Sequence, residues 1–241
     1  MGPVNTPHRI VSYLEQPYMN MLSANEVGLP VERDKPILEA SESNLIATVL
    51  DPACRTLLIT APNSGCGGTT SALTLAHQLA LSSAGKVLLV DASPSPRGLT
   101  SLFQLNGAPG LLDLLAGDDM PERLGQCVYP HPDQPFDVLP LGVPQGRNRH
   151  LPHERIPQLF SALSADYRFV VIDGEAIYSS SYSLGLAARV DGVILVVRGE
   201  ETRWEVAQAA VQRLRQANAN LLGSIFNARR YYTPKWLYRY L

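Results

Sequence analysis

Residues 57–70, LLITAPNSGCGGTT, decide the fold of this chain. Apolar and β-branched residues predict a buried strand over residues 56–60, and two threonines open a helical pattern over residues 69–82. The glycines between them let successive backbone N–H groups face one concavity, and the N-terminus of the helix adds unpaired donors. The stretch therefore predicts a phosphate-binding loop of the P-loop type.

The loop lacks the lysine of the P-loop ending G-K-[ST], because Gly68 stands at that position. That ammonium group normally contacts the β- and γ-phosphates and balances their charge. Two interpretations stay open from the loop alone: a phosphate site without its cation, or a glycine-rich turn that only closes a strand–helix corner. The candidate nucleotide-binding residues of the loop are Gly65, Gly67, Gly68, Thr69 and Thr70.

Two aspartates follow apolar strand patterns: Asp91 after residues 86–90 and Asp173 after residues 168–172. In an open parallel sheet the ligand crevice lies outside the carboxyl ends of the strands. We expect Asp91 and Asp173 to be the catalytic acids, and Thr69 with Asp91 to hold Mg²⁺ if a nucleotide binds. The alternative for either aspartate alone is a helix N-cap or a turn.

The remaining pattern alternates short apolar runs with amphipathic segments. Strands are predicted over residues 136–141, 193–197 and 221–226, and helices over residues 37–50, 153–165 and 202–217. Fully apolar strands separated by helices indicate a parallel sheet that is covered on both faces. The predicted fold is therefore α/β, a doubly wound, mostly parallel sheet of the P-loop NTPase type.

Composition excludes several classes of protein. Apolar residues make up 45% of 241 residues, which allows a sizeable core, and the net charge of −2 gives no reason to expect a nucleic-acid partner. Apolar runs are too short to cross a bilayer, and three cysteines fit neither a disulfide framework nor a zinc site. We therefore expect a cytoplasmic protein.

The order of the motifs resembles the bacterial tyrosine autokinases of capsule and exopolysaccharide export, a branch of the deviant-P-loop ATPases. In that family the phosphate loop is S-P-x-P-G-E-G-K-[ST]-T and the second acidic motif is K-V-L-L-I-D-A-D. The resemblance covers roughly residues 37–241, and Asn227 matches an asparagine that lies near the adenine in the wider class. The matching segments are residues 61–70, 86–91, 110–117 (GLLDLLAG), 137–142, 167–173, 191–197 with Thr202, and 223–227 (GSIFN).

Departures from the family pattern concern charged groups. Gly68 replaces the lysine, Ser93 replaces the second acid of D-A-D, and residues 39–44 (EASESN) lack the arginines of the segment that helps to assemble the family's ring. The resemblance thus implies a regulatory pseudokinase of exopolysaccharide synthesis and export, with ATP or ADP and Mg²⁺ bound weakly or not at all.

The resemblance also implies a membrane-embedded chain-length co-polymerase as partner, which would place the protein peripherally at the inner membrane, and it allows a homo-oligomer. The first alternative is an active tyrosine autokinase or ATPase that recruits a cation from elsewhere. The second is a positioning ATPase of the partition type, which the match at residues 110–117 disfavours.

Three regions are expected along the chain: an N-terminal arm over residues 1–36, the P-loop NTPase-like domain over residues 37–228, and a basic aromatic tail over residues 229–241. The tail contains four cations and no acid. The resemblance places its tyrosines where active family members carry a phosphorylated tail, but we favour an aromatic helix that docks on the sheet or on a partner. Interleaved cations and aromatic residues also suit contact with an anionic membrane. The tail tyrosines are Tyr231, Tyr232, Tyr238 and Tyr240.

Overall fold

The computed structural model describes residues 20–23, 49–82, 85–117, 120–143, 154–180 and 182–227. Within them an eight-stranded sheet has the order β1-β8-β7-β2-β6-β3-β5-β4. The six strands from β8 to β5 are parallel, and β1 and β4 pair antiparallel at the two edges. The strands are β1 (Asn20–Ser23), β2 (Thr56–Thr60), β3 (Val87–Ala92), β4 (Tyr129–Pro130), β5 (Asp137–Leu139), β6 (Phe169–Gly174), β7 (Gly192–Arg198) and β8 (Leu221–Asn227).

Helices cover both faces of this sheet. They are α1 (Gly68–Ser82), α2 (Leu99–Leu102), α3 (Leu111–Ala116), α4 (Met120–Cys127), α5 (Ile156–Asp166), α6 (Tyr182–Ala187) and α7 (Trp204–Gln216). No helix in the described ranges is long and apolar enough to cross a bilayer.

Alternating side chains of the central strands explain the two layers. Leu57 and Ile59 of β2 pack in the cluster that contains α1, whereas Leu58 packs in the opposite cluster with α5 and α7. All three side chains are fully buried, and each such burial contributes about 1.5–3 kcal/mol. The predicted α/β fold with a doubly wound, mostly parallel sheet is confirmed.

Several elements differ from the sequence prediction. The strand predicted over residues 136–141 is shorter, because Pro140 ends the ladder after Leu139. The arm over residues 1–36 contributes the edge strand β1, which no sustained alternation had indicated. The helix predicted over residues 37–50 lies outside the described residues except at its last two positions, and the tail over residues 229–241 lies wholly outside them.

Residues 110–117, a segment that carries the family resemblance, have a structural role. Asp113 accepts hydrogen bonds from the backbone N–H of Gly110 at 2.9 Å and of Val143 at 3.0 Å. A side chain at Gly110 would lie 2.1 Å from the carbonyl oxygen of Pro140, so only glycine fits there. The motif thus fastens the start of α3 to the loop that leaves β5.

Candidate nucleotide site

The loop between β2 and α1 has the backbone shape of a phosphate-binding loop. Gly65 and Gly67 have φ angles of 87° and 94°, which L side chains rarely adopt. The carbonyl oxygen of Gly67 accepts the N–H of Ser71 at 2.9 Å, so the first turn of α1 starts directly at Gly68. The loop therefore retains the glycine-dependent geometry that the sequence predicts.

Side chains from the ends of β7 and β8 hold this loop from one side. The Nδ2 atom of Asn227 donates to the carbonyl oxygen of Cys66 at 3.0 Å, and a side chain at Gly67 would lie 1.8 Å from that nitrogen. Nη1 of Arg198 donates to the carbonyl oxygen of Gly65 at 3.1 Å. The structure thus brings Asn227 to the loop, a contact that the sequence did not indicate, and adds Arg198, which no motif indicated.

A cavity of about 340 Å³ lies over the loop at the carboxyl ends of β2, β3 and β6. Of its lining residues only Glu175 carries a charge, and that charge is negative. The lining consists of Ala61, Asn63, Ser64, Gly65, Cys66, Gly68, Thr69, Ser93, Pro94, Ser95, Pro96, Gly174, Glu175 and Ala176. No lysine or arginine of the described chain lines this cavity.

Asp91 is fully buried and has its carboxylate occupied by protein donors. Oδ1 accepts the N–H of Ser93 at 3.0 Å, and Oδ2 accepts the N–H and the hydroxyl of Thr100 at 2.7 and 2.6 Å. Burial raises the pKa of Asp91, while the hydrogen bonds from Thr100 and Ser93 act in the opposite direction. Since Thr100 is in the first turn of α2, Asp91 ties the end of β3 to that helix.

Asp173 stands beside Asp91 in the β3–β6 register and is also fully buried. Neither of its carboxylate oxygens has a hydrogen-bond partner among the described residues. Burial above all, and then the neighbouring Asp91 charge, raise the pKa of Asp173 to about 8. The hydroxyl of Thr69 lowers this pKa by less, and its geometry falls short of a complete hydrogen bond.

The loop and the cavity fit Mg²⁺ and a nucleoside triphosphate only in part. The backbone cradle fits, because it presents N–H groups to an anion. The charges do not fit the triphosphate, because Glu175 lines the cavity and Gly68 offers no cation. The described residues contain no group of three or more His, Cys, Asp or Glu side chains that could hold a metal ion.

The structure brings only some of the candidate residues to the cavity, since Asp91, Asp173 and Asn227 are not among the residues that line it. Gly65, Gly68 and Thr69 line the cavity, and Thr70 lies one position further into α1, where its carbonyl oxygen accepts the hydroxyl of Thr74. Sequence reasoning missed Thr100 as the partner of Asp91, because the four residues of α2 are too few for a helical period.

No protein-family model matches the chain. The kinase domain of VpsO, a solved structure, is 31% identical to it, covers 78% of this chain and 91% of that domain, and superposes with a TM-score of 0.65. The chain belongs to the family of bacterial tyrosine kinases. The family predicted from the order of the motifs is therefore confirmed.

Curated members of the tyrosine-kinase family differ in how much of their length this chain spans. Tyrosine-protein kinase Etk of Escherichia coli K12 is 29% identical over 83% of this chain, which spans only 27% of Etk. Tyrosine-protein kinase YwqD of Bacillus subtilis 168 is 28% identical over 78% of both proteins. Cell-division and plasmid-partition proteins superpose with TM-scores of 0.56 and 0.57 at 20–22% identity, which shows a shared fold alone.

Proposed function

We propose that this member of the tyrosine-kinase family is a regulatory pseudokinase in bacterial exopolysaccharide synthesis and export. One observation carries the proposal: the position of the P-loop lysine is Gly68, and among the described residues the cavity beside it is lined by an acid and by no cation. Phosphoryl transfer depends on positive groups that stabilise the charge of the transferring phosphoryl group. The described cavity presents the opposite charge.

The expected loss of nucleotide affinity follows from a single missing contact. A hydrogen bond to a charged group contributes roughly 1.5–3 kcal/mol, which corresponds to about ten- to a hundredfold in affinity. The backbone N–H groups of the loop remain as donors, so ADP or ATP with Mg²⁺ would bind weakly or not at all. The family membership supports descent of this site from a kinase site, and Gly68 supports the proposal that the site no longer transfers phosphate.

An autophosphorylation assay tests the proposal. The purified chain with ATP and Mg²⁺ is expected to yield no phosphotyrosine by mass spectrometry at Tyr231, Tyr232, Tyr238 or Tyr240. Gly68→Lys is expected to raise ATP turnover, while Gly68→Met, which has a long side chain without charge, is not. Phosphotyrosine from the unaltered chain at the rate of Gly68→Lys would contradict the proposal.

The second candidate is an active tyrosine autokinase that recruits a cation from elsewhere, and Arg198 is the residue that favours it. Its Nη1 lies 3.1 Å from the carbonyl oxygen of Gly65, and its Nε lies 3.0 Å from Oε1 of Glu201. The guanidinium would have to leave both partners to reach a phosphate in the cavity. If the unaltered chain turns over ATP, Arg198→Gln should abolish that turnover under this candidate and spare it otherwise.

A third candidate, a positioning ATPase of the partition type, shares only the fold with this chain. The tyrosine-kinase relatives match at higher identity, and residues 110–117 keep their motif. We therefore place the protein with a polysaccharide system, where a membrane-embedded co-polymerase is the proposed partner. A peripheral position at the cytoplasmic face of the inner membrane and self-association into a homo-oligomer are part of the same proposal.

The basic aromatic tail is the segment that we expect to face that partner. Deleting residues 231–241 should abolish recruitment to the partner or to anionic membranes in a co-sedimentation assay, because the tail carries cations and aromatic residues without an acid. The thermal unfolding midpoint should remain unchanged. Undiminished recruitment of the shortened chain would exclude the tail as the contact surface.

A further inference from the structure

The cavity over the phosphate loop contains a nearly buried hydroxyl group without a partner. Ser93 is only 8% exposed and lines the cavity. Its backbone N–H donates to Asp91, whereas its hydroxyl makes no hydrogen bond to the described residues and remains accessible to a water-sized group. Since a hydroxyl both donates and accepts, Ser93 can pair with either kind of polar group on a ligand.

The start of α1 adds hydrogen-bond donors to the same cavity. Gly68 and Thr69 line it, and their N–H groups precede the first helical hydrogen bond, which joins the N–H of Ser71 to the carbonyl oxygen of Gly67 at 2.9 Å. The first N–H groups of a helix have no acceptor inside the helix. They therefore suit an oxygen atom of a ligand.

Glu175 adds an acidic acceptor to the wall of the cavity. Its side chain is half-buried, and its carbonyl oxygen accepts the hydroxyls of Thr60, at 2.8 Å, and of Ser183. A Cβ atom on the preceding Gly174 would lie 2.7 Å from Cδ1 of Leu58, so the end of β6 packs closely against β2. The backbone that carries this acid is thus held firmly beside the cavity.

These three features disfavour several classes of ligand. An anion is repelled by Glu175, and a cation meets the N–H groups and the positive dipole end of α1. An apolar ligand would leave the hydroxyl of Ser93 and the N–H groups of α1 unpaired, which costs free energy. A neutral ligand with several hydroxyl groups offers acceptors to the N–H groups and donors to Glu175.

We propose that the cavity binds a neutral polyhydroxylated molecule, a monosaccharide or a cyclitol, with Ser93, Glu175 and the first N–H groups of α1 as its hydrogen-bond partners. The volume of about 340 Å³ lies at the lower end of the range of roughly 300–1,000 Å³ that is typical of small-molecule pockets. The inference rests on the proposed function, because it takes the nucleotide not to be the occupant. It gives that regulatory site a ligand class.

The test is isothermal titration calorimetry of the full chain with glucose, with myo-inositol and with glucuronate. Glucuronate is the matched control, because it has the ring and the size of glucose and adds one negative charge. Glucose or myo-inositol should bind at least about tenfold more tightly than glucuronate, and the tighter of the two identifies a sugar or a cyclitol as the preferred ligand. Absence of binding by both, or equal affinity for glucuronate, overturns the inference.

Two full-length variants locate the site. Glu175→Gln keeps an acceptor without the charge, so it should reduce the preference for the neutral ligand over glucuronate by about five- to tenfold. Ser93→Ala should weaken binding of the neutral ligand by about two- to tenfold, the usual contribution of one hydrogen bond. Ser161→Ala, at an exposed position of α5, is the control and should leave the affinity unchanged. Unchanged binding in both Glu175→Gln and Ser93→Ala overturns the assignment to this cavity.

This test is separate from the test of the proposed function, because calorimetry reads sugar binding and mass spectrometry reads phosphate transfer. A chain that binds neither glucose nor myo-inositol and forms no phosphotyrosine would refute only this inference. A chain that binds one of them and also forms phosphotyrosine would refute only the proposed function.

Discussion

Asp91 and Asp173 end neighbouring parallel strands in the same register, yet their carboxylates have different surroundings. Asp91 accepts three hydrogen bonds, two of them from Thr100 and one from Ser93. Asp173 accepts none from the described residues, although it is buried just as deeply. The first carboxylate fastens a loop and a helix, whereas burial and the neighbouring Asp91 charge raise the pKa of the second to about 8.

The phosphate loop shows a similar separation between the residues that hold its frame and the position of the missing lysine. The contacts that hold the phosphate loop, from Asn227 to Cys66 and from Arg198 to Gly65, do not involve the position of the missing lysine. The frame therefore tolerates glycine at residue 68.

The largest expected effect is the loss of stability when Asp91 is replaced. Asp91→Ala should lower the free energy of unfolding by roughly 3 kcal/mol, because it leaves the buried donors of Thr100 and Ser93 without an acceptor. Urea unfolding measures this loss. Asp133→Ala, at an exposed surface position, is the control and should change the free energy by less than about 0.5 kcal/mol.

The contribution of Asp173 to the free energy of unfolding should depend on pH. Its pKa of about 8 in the folded chain exceeds the unfolded value near 4, so the folded protein holds a proton that the unfolded chain releases. Stability contributed by this group is therefore present below about pH 4 and is lost as pH rises toward about 8.

Asp173→Asn should remove this part of the pH dependence. As pH rises from about 5 to about 9, the free energy of unfolding of the variant, measured in urea, should increase by about 2 kcal/mol or more relative to that of the unaltered chain. The pH profile of the free energy of unfolding of Asp133→Asn should run parallel to that of the unaltered chain. A parallel curve for Asp173→Asn as well would mean that Asp173 is ionised and paired in the folded protein.

The smallest effect compares the two threonines beside these acids. Thr100→Val should cost about 1–2 kcal/mol, since the hydroxyl of Thr100 both donates to Asp91 and accepts the N–H of Leu141 at 2.9 Å. Thr69→Val, next to Asp173, should cost less than about 0.5 kcal/mol. Equal losses of the free energy of unfolding in the two variants, measured in urea, would contradict the difference in hydrogen bonding between Asp91 and Asp173.

Much of the fold could be predicted because the central strands are buried on both faces. Val87–Ala92, Phe169–Gly174 and Gly192–Arg198 are nearly continuous apolar runs, and their positions follow directly from that pattern. The short elements could not be predicted in this way. Leu99–Leu102 is a single turn whose position depends on the contact between Thr100 and Asp91, which is nine residues away in sequence.

The candidate site was predictable in outline but not in its division of roles. Asp91 and Asp173 both follow an apolar strand, so the sequence gives no reason to separate a loop-fastening acid from an unpaired one. The distinction depends on which donors the fold brings within hydrogen-bond distance. Gly68 is the exception, because the loss of a charged side chain at a fixed motif position is visible in the sequence itself.

The central claim is that the phosphate loop without its lysine has lost high-affinity nucleotide binding. Isothermal titration calorimetry of the full chain with ADP and Mg²⁺ tests it most directly, with Gly68→Lys and Gly68→Met as the matched pair. The account predicts weak or undetectable binding for the unaltered chain and for Gly68→Met, with affinity about ten- to a hundredfold higher in Gly68→Lys. A sub-micromolar dissociation constant for the unaltered chain would contradict it.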